Sequence, residues 1–96
     1  MYKLLLFLHK TKDENIEQHF TDFTLKYISE VAGKKIHAAE VESNPLLEQK
    51  YSKFCEVEFE SQDEWNKLIN TKEGKVLQND LIDFNKDITV IFVTYK

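Results

Sequence analysis

The sequence predicts an α+β fold: one four-stranded antiparallel sheet, covered on one face by two helical connections, in the order β-α-β-β-α-β. Three observations predict it. Strand-like runs at Tyr2–His9 and over 88–95 open and close the chain. Two amphipathic stretches between them carry helix punctuation at their ends. The halves follow the same strand–helix–strand logic without repeating each other's sequence, and a right-handed crossover in each half interleaves their strands in a single sheet.

Tyr2–His9 has leucines and Phe7 on both parities, the pattern of a strand covered on both faces. Asp13 or Asn15 can cap the helix that follows, since either side chain accepts from the free N–H groups of a first turn. Ile16, Phe20, Phe23, Tyr27 and Val31 keep the spacing of one helical face, and Gly33 supplies the left-handed residue that ends it. A second strand is expected over 36–41, broken by Glu42, Ser43, Asn44 and Pro45 into a polar loop that reaches about Tyr51.

The third strand is expected over 54–59, with Cys55, Val57 and Phe59 on one face and Phe54, Glu56 and Glu58 on the other. Ser61 to Glu64 reads as a capping box opening a helix whose apolar face holds Trp65, Leu68 and Ile69. A short further helix, opened by Thr71, Lys72, Glu73 and Gly74, continues the packing through Val76, Leu77, Leu81 and Phe84. The last strand is β-branched and apolar on both parities.

This order is the ferredoxin-like, or split βαβ, arrangement. Both helical connections fall on one sheet face, so the first and last strands would leave a second apolar set bare. Packing two such sheets face to face removes that exposure, and a twofold homodimer is the expected assembly.

Ninety-six residues make one domain, spanning 1–96. A composition 42% hydrophobic and 31% charged is that of a globular chain and argues against disorder. The longest apolar run, over 4–8, is too short for a membrane span or a signal-peptide core, so a soluble cytoplasmic protein with no membrane partner is expected. The net charge of −4 and the scattered lysines disfavour nucleic acid as a partner. The lone Cys55 excludes an intrachain disulfide and a cysteine zinc site, and it reads as a small buried hydrophobe.

Several short features together resemble the EthD-like group of the dimeric α+β barrel superfamily, named for a protein associated with ethyl tert-butyl ether degradation. They are Phe59-Glu60-Ser61 entering the capped helix, Lys72-Glu73-Gly74, Asp80-Leu81 through Phe84, the closing strand, and Phe20 placed thirteen residues before Gly33. The resemblance covers essentially the whole chain and implies the dimeric barrel and a ligand cavity. Many sequences of that group carry, four residues after the helix aromatic, a histidine followed by a proline–leucine pair. Thr24 stands at that position here, with Lys26 and Tyr27 in place of the pair. Shifting by one turn to nominate His19 would break the register with Phe20 and Gly33.

The histidines at 9, 19 and 37 form no metal-binding spacing, so no metal site is expected. Phosphate loops, nucleophile elbows and Ser/His/Asp motifs are absent from the sequence, and no cofactor is expected. With Leu4, Leu6 and Leu8 toward the helices, His9 lies on the dimer face near Glu56 or Glu58, where a carboxylate could tune a proton donor. Against that stands a rim salt bridge. Glu40, Glu42, Glu56 and Glu58 read as a solvated or partly paired face, and His19 as a solvated helix flank. Phe20, Thr24, Tyr27, His37, Trp65 and Phe84 are the expected lining of a pocket between sheet and helices, suited to a planar apolar molecule.

The sequence thus points to a small dimeric barrel protein that binds a small hydrophobic or aromatic molecule; no catalytic residue is assigned. The resemblance leaves a second reading, a cofactor-free monooxygenase or related enzyme acting on an aromatic or polyketide-like substrate with His37 or His9 as its base. A third is a structural or interaction module.

Overall fold

The computed structural model describes residues 1–42, 46 and 49–95. Strand β1 (Tyr2–His9) leads to α1 (Glu14–His19), which runs through a π-helical turn (Phe20–Thr24) into α2 (Leu25–Ala32). There follow β2 (Ala39–Glu40), β3 (Tyr51–Phe59), α3 (Gln62–Ile69), α4 (Lys72–Asp83) and β4 (Ile88–Thr94). The sheet order is β2-β3-β1-β4 and every neighbouring pair is antiparallel, which is the ferredoxin-like arrangement.

The register fixes the two faces. Leu4 lies opposite Val57 and Phe92, and Leu6 opposite Cys55 and Val90. Because strand side chains alternate, Leu4, Leu6, Leu8, Cys55, Val57 and Phe59 all turn toward the helices. There they are buried with Phe20, Ile28, Trp65 and Leu77. Burial pushes the Cys55 thiol up to about 12, so it stays protonated and non-nucleophilic near neutral pH.

The helix ends follow local rules. Asp13 is the first cap, its carboxylate accepting the Asn15 N–H at 3.0 Å. Ser61 and Thr71 cap α3 and α4 by accepting from Glu64 and Gly74. The expected capping box is displaced by one residue, since Glu64 reaches back to the N–H of Glu60 at 2.8 Å. Gly33 closes α2 at φ +73°, the left-handed conformation that glycine adopts without a side-chain clash.

Two expectations are corrected. The second strand is not a six-residue run over 36–41 but the pair Ala39–Glu40. The chain leaving α2 is held by the helix instead: Ser29 Oγ accepts the Ile36 N–H at 2.9 Å while donating to the Leu25 carbonyl at 2.7 Å. Ile36 is therefore buried outside the sheet. The third strand gains what the second loses, starting at Tyr51, and the Val41 N–H still reaches the Ser52 carbonyl at 2.9 Å. Most of the polar loop expected after Val41 lies outside the described residues.

The first helix also departs from a simple periodicity. Its inward face runs through Phe20, Thr24, Ile28 and Val31. The Leu25 N–H bonds to the Phe20 carbonyl, five residues back, and this wider turn carries Phe23 and Tyr27 round to the flank. There their rings meet at 4.8 Å.

Among the described residues no helix covers the second sheet face. Lys3, Leu5, Phe7, Phe54, Ile91 and Val93 share it, with the Phe7 ring 4.8 Å from Tyr51 and 4.9 Å from Phe54. Nor is any helix among the described residues long and apolar enough to cross a membrane.

Candidate functional site

The six side chains expected to line one pocket are divided among several places. Phe20 and Thr24 are fully buried inside the core. Tyr27 is half-buried on the α2 flank, beneath the Lys26 ammonium at 5.6 Å. His37 is exposed and borders an open hollow of about 660 Å3 between α2 and the β2 edge, whose rim carries Lys26, Lys35 and Lys53. Phe84 stands beside His19 on the outer side of α4. Trp65 alone of the six opens onto an apolar concavity. The spread follows from the helix faces: neighbours in a sequence pattern lie on different sides of α1–α2 and α4 once these pack.

The Trp65 concavity, about 420 Å3, lies between the α3–α4 pair and edge strand β4. Six apolar side chains line it: Trp65, Ile69, Leu81, Ile82, Val90 and Phe92. The amides of Gln78 and Asn85 are its polar groups. Trp65 is held against Phe59 at 5.3 Å and Phe92 at 5.5 Å, so one wall is a fixed aromatic surface. Phe92 is nevertheless 43% exposed and Ile82 58% exposed. Apolar area is left uncovered here because β4 is a sheet edge and α4 does not reach across it.

A polar site that the sequence reading passed over lies on the other side of α4. Asp80 is buried, and its two oxygens are divided between two partners. Oδ2 accepts the Thr24 hydroxyl at 2.7 Å, and Oδ1 lies 2.5 Å from His19 Nε2. The His19 ring stacks near-parallel with Phe84, centroids 4.1 Å apart, and with Phe23, 4.9 Å apart. His19 is thus a bonded and stacked residue, not the solvated flank expected of it. The signal was present in the spacing: Leu77, Asp80 and Phe84 recur at intervals of three and four residues, so a carboxylate there has to find a buried partner. Thr24, on the inward face of the first helix, is part of the answer.

His9 lies on the open sheet face as expected, but not beside Glu56 or Glu58. It is at the opposite end of β1, where its Nε2 is 2.6 Å from Thr89 Oγ1 and its ring 5.5 Å from Tyr51. The antiparallel register explains this, for Glu56 pairs with Leu5 and Glu58 with Lys3. Lys3 forms an ion pair with Glu56, and that hydrogen bond holds the ammonium above the usual lysine value. The glutamate face, expected to be solvated or partly paired, thus includes a paired lysine, whose ammonium also lies 5.0 Å over the Tyr95 ring. Neither His9 nor His37 borders the concavity beside Trp65. Among the described residues, no group of three or more His, Cys, Asp or Glu is placed to hold a metal ion.

No known protein family and no curated protein matches the sequence. Solved structures do match in three dimensions. An EthD family protein of Bacillus halodurans superimposes with a TM-score of 0.81 at 19% identity, over 100% of this chain and 99% of its own. The chain has the EthD-like fold. A protein of Arabidopsis thaliana matches with a TM-score of 0.59 at 21% identity, covering 99% of this chain and 92% of that one. A protein of Bacteroides fragilis, described as dimeric, of unknown function and of ferredoxin-like fold, matches with a TM-score of 0.52 at 12% identity, covering 98% and 95%. At such identities the likeness establishes the fold of this chain and leaves its chemistry to its own residues.

Proposed function

We propose that this EthD-like chain forms a twofold dimer through its open sheet face, and that each subunit binds a small hydrophobic or aromatic molecule beside Trp65. The observation that carries the ligand reading is the concavity itself. Its wall is apolar and partly aromatic, its volume suits a one- or two-ring molecule, and Gln78 and Asn85 supply groups to orient a hydroxyl or carbonyl.

Trp65 is the only tryptophan and so reports directly on occupancy. Titration with 2-naphthol is expected to quench its fluorescence saturably. Ile82→Glu, which places a charge at the exposed rim, is expected to weaken that binding about tenfold or more, because a carboxylate would be desolvated by the ligand. Unsaturable quenching, or equal affinity in the variant, would remove the ligand reading.

The dimer reading rests on the bare face of Leu5, Phe7, Phe54, Ile91 and Val93, and on the dimeric state given for the Bacteroides fragilis protein of this fold. Paired across a twofold axis, these side chains would cover one another, with the Lys3–Glu56 pairs adding opposite charges that set the register. Native mass spectrometry is expected to give the dimer mass for the wild type and the monomer mass for Phe7→Asp/Ile91→Asp. A monomeric wild type, or an undisturbed dimer in the variant, would exclude this interface.

A further inference from the structure

We propose that His19 is a general base presented at the surface through Nδ1, with Asp80 and Thr24 as positioning residues, for a small flat molecule carrying a weakly acidic C–H or O–H. The argument begins with Asp80. A carboxylate has no proton to give, so both of its oxygens accept, one from the Thr24 hydroxyl and the other from His19 Nε2–H. Donation from Nε2 fixes the tautomer of the neutral ring, which leaves the lone pair on Nδ1. Among the described residues that nitrogen has no hydrogen-bond partner, and none of their side-chain polar atoms is both buried and unpartnered. Nδ1 is therefore open to solvent.

The rings of Phe23 and Phe84 both stack near-parallel with the imidazole, which favours the approach of a molecule along its edge. His19 lines an open hollow of about 280 Å3, together with Phe23, Phe84, Val76, Asn79, Asp80 and Asp83. Asp83 makes an anionic ligand unfavourable and a neutral one the better fit. A second observation points the same way. The helix carrying His19 turns π-helical at the next residue, and this turn contains Thr24, the residue that holds Asp80. Single π turns recur at functional sites, where they re-aim side chains. A buried carboxylate orienting an imidazole with one free nitrogen is also the arrangement that proton-transfer sites require.

The probe is 5-nitrobenzisoxazole, a neutral flat compound that needs no co-reactant. His19 Nδ1 takes the C3 proton, the C–H electron pair forms the nitrile, and the N–O bond breaks to release the coloured phenolate. Water then removes the proton from the imidazolium. His19→Gln keeps an N–H for Asp80 and removes the base. The wild type is expected to turn the probe over at least tenfold faster than this variant, within the range that general bases supply. Equal rates in two folded proteins would overturn the proposal.

A second measurement does not depend on turnover. Nitrogen-15 NMR of the imidazoles is expected to show His19 as the Nε2–H tautomer, and Asp80→Asn is expected to abolish that preference. A His19 protonated at Nδ1 in the neutral ring would equally overturn the assignment. This site and the Trp65 concavity have no lining residue in common, so failure of either reading is distinguishable from failure of the other.

Discussion

Gly74→Ala is expected to destabilise the protein by about 3 kcal/mol or more, the upper range for forcing volume into a packed site. The sign is the opposite of the ordinary rule, by which alanine in a helix interior gains about 1 kcal/mol over glycine. Gly74 is buried in the first turn of α4, where that helix doubles back on the end of α3. A Cβ there would lie 2.6 Å from the Ile69 Cα and carbonyl carbon, and closer still to the Leu68 carbonyl oxygen. These are backbone atoms, so no side-chain rotation relieves the clash, and the α3–α4 corner would have to open. Urea unfolding followed by circular dichroism measures the effect. The neighbouring exposed substitution Glu73→Ala is expected to stay within about 0.5 kcal/mol of wild type. An alanine variant as stable as the wild type would show that the corner is not closely packed.

The second large effect is expected at Asp80. Asp80→Ala is expected to cost about 2–4 kcal/mol, because it leaves the fully buried Thr24 hydroxyl without an acceptor and opens a small void. It also releases His19, whose ring would then be held by stacking alone. Replacing both groups by apolar ones, Thr24→Val with Asp80→Leu, is expected to recover much of the loss, since the fully buried hydroxyl is then gone and only the partly exposed His19 loses a partner that water can replace. Chemical denaturation of the two variants decides the matter. If the double variant is as unstable as the single, the stability at this position comes from the His19–Asp80 bond instead of from satisfying Thr24. The two predictions concern different contacts of one helix, Gly74 its packing and Asp80 its polar satisfaction.

Much of the fold was legible because it depends on local rules that a single chain displays. Period-two alternation in the third strand, caps at Asp13, Ser61 and Thr71, and the left-handed Gly33 each act through atoms a few residues apart. Leucines on both parities of β1 show that both faces of that strand are apolar, and crossover handedness limits how the elements connect. The errors arose where a local preference met a distant competitor. The second strand was shortened because Ser29 takes the Ile36 N–H, and a side chain seven residues away leaves no mark in strand periodicity. The first helix turned its face because a π turn, stabilised by burial of Phe20 and Thr24, overrode even spacing.

The sequence by itself determined the ferredoxin-like order, the helix-facing leucines, the buried cysteine and a second apolar sheet face, all consequences of periodicity and capping. Only the tertiary structure decided which candidate side chains share a site. It separated Phe20, Trp65, His37 and Phe84 into different surroundings, moved His9 away from the glutamates through the antiparallel register, and joined Thr24 to Asp80 across 56 residues and His19 to Asp80 across 61. The physical reason is range. Helix caps and strand alternation are set within one turn or one pleat, whereas a buried carboxylate selects its partners from whatever the packed helices bring within about 3 Å.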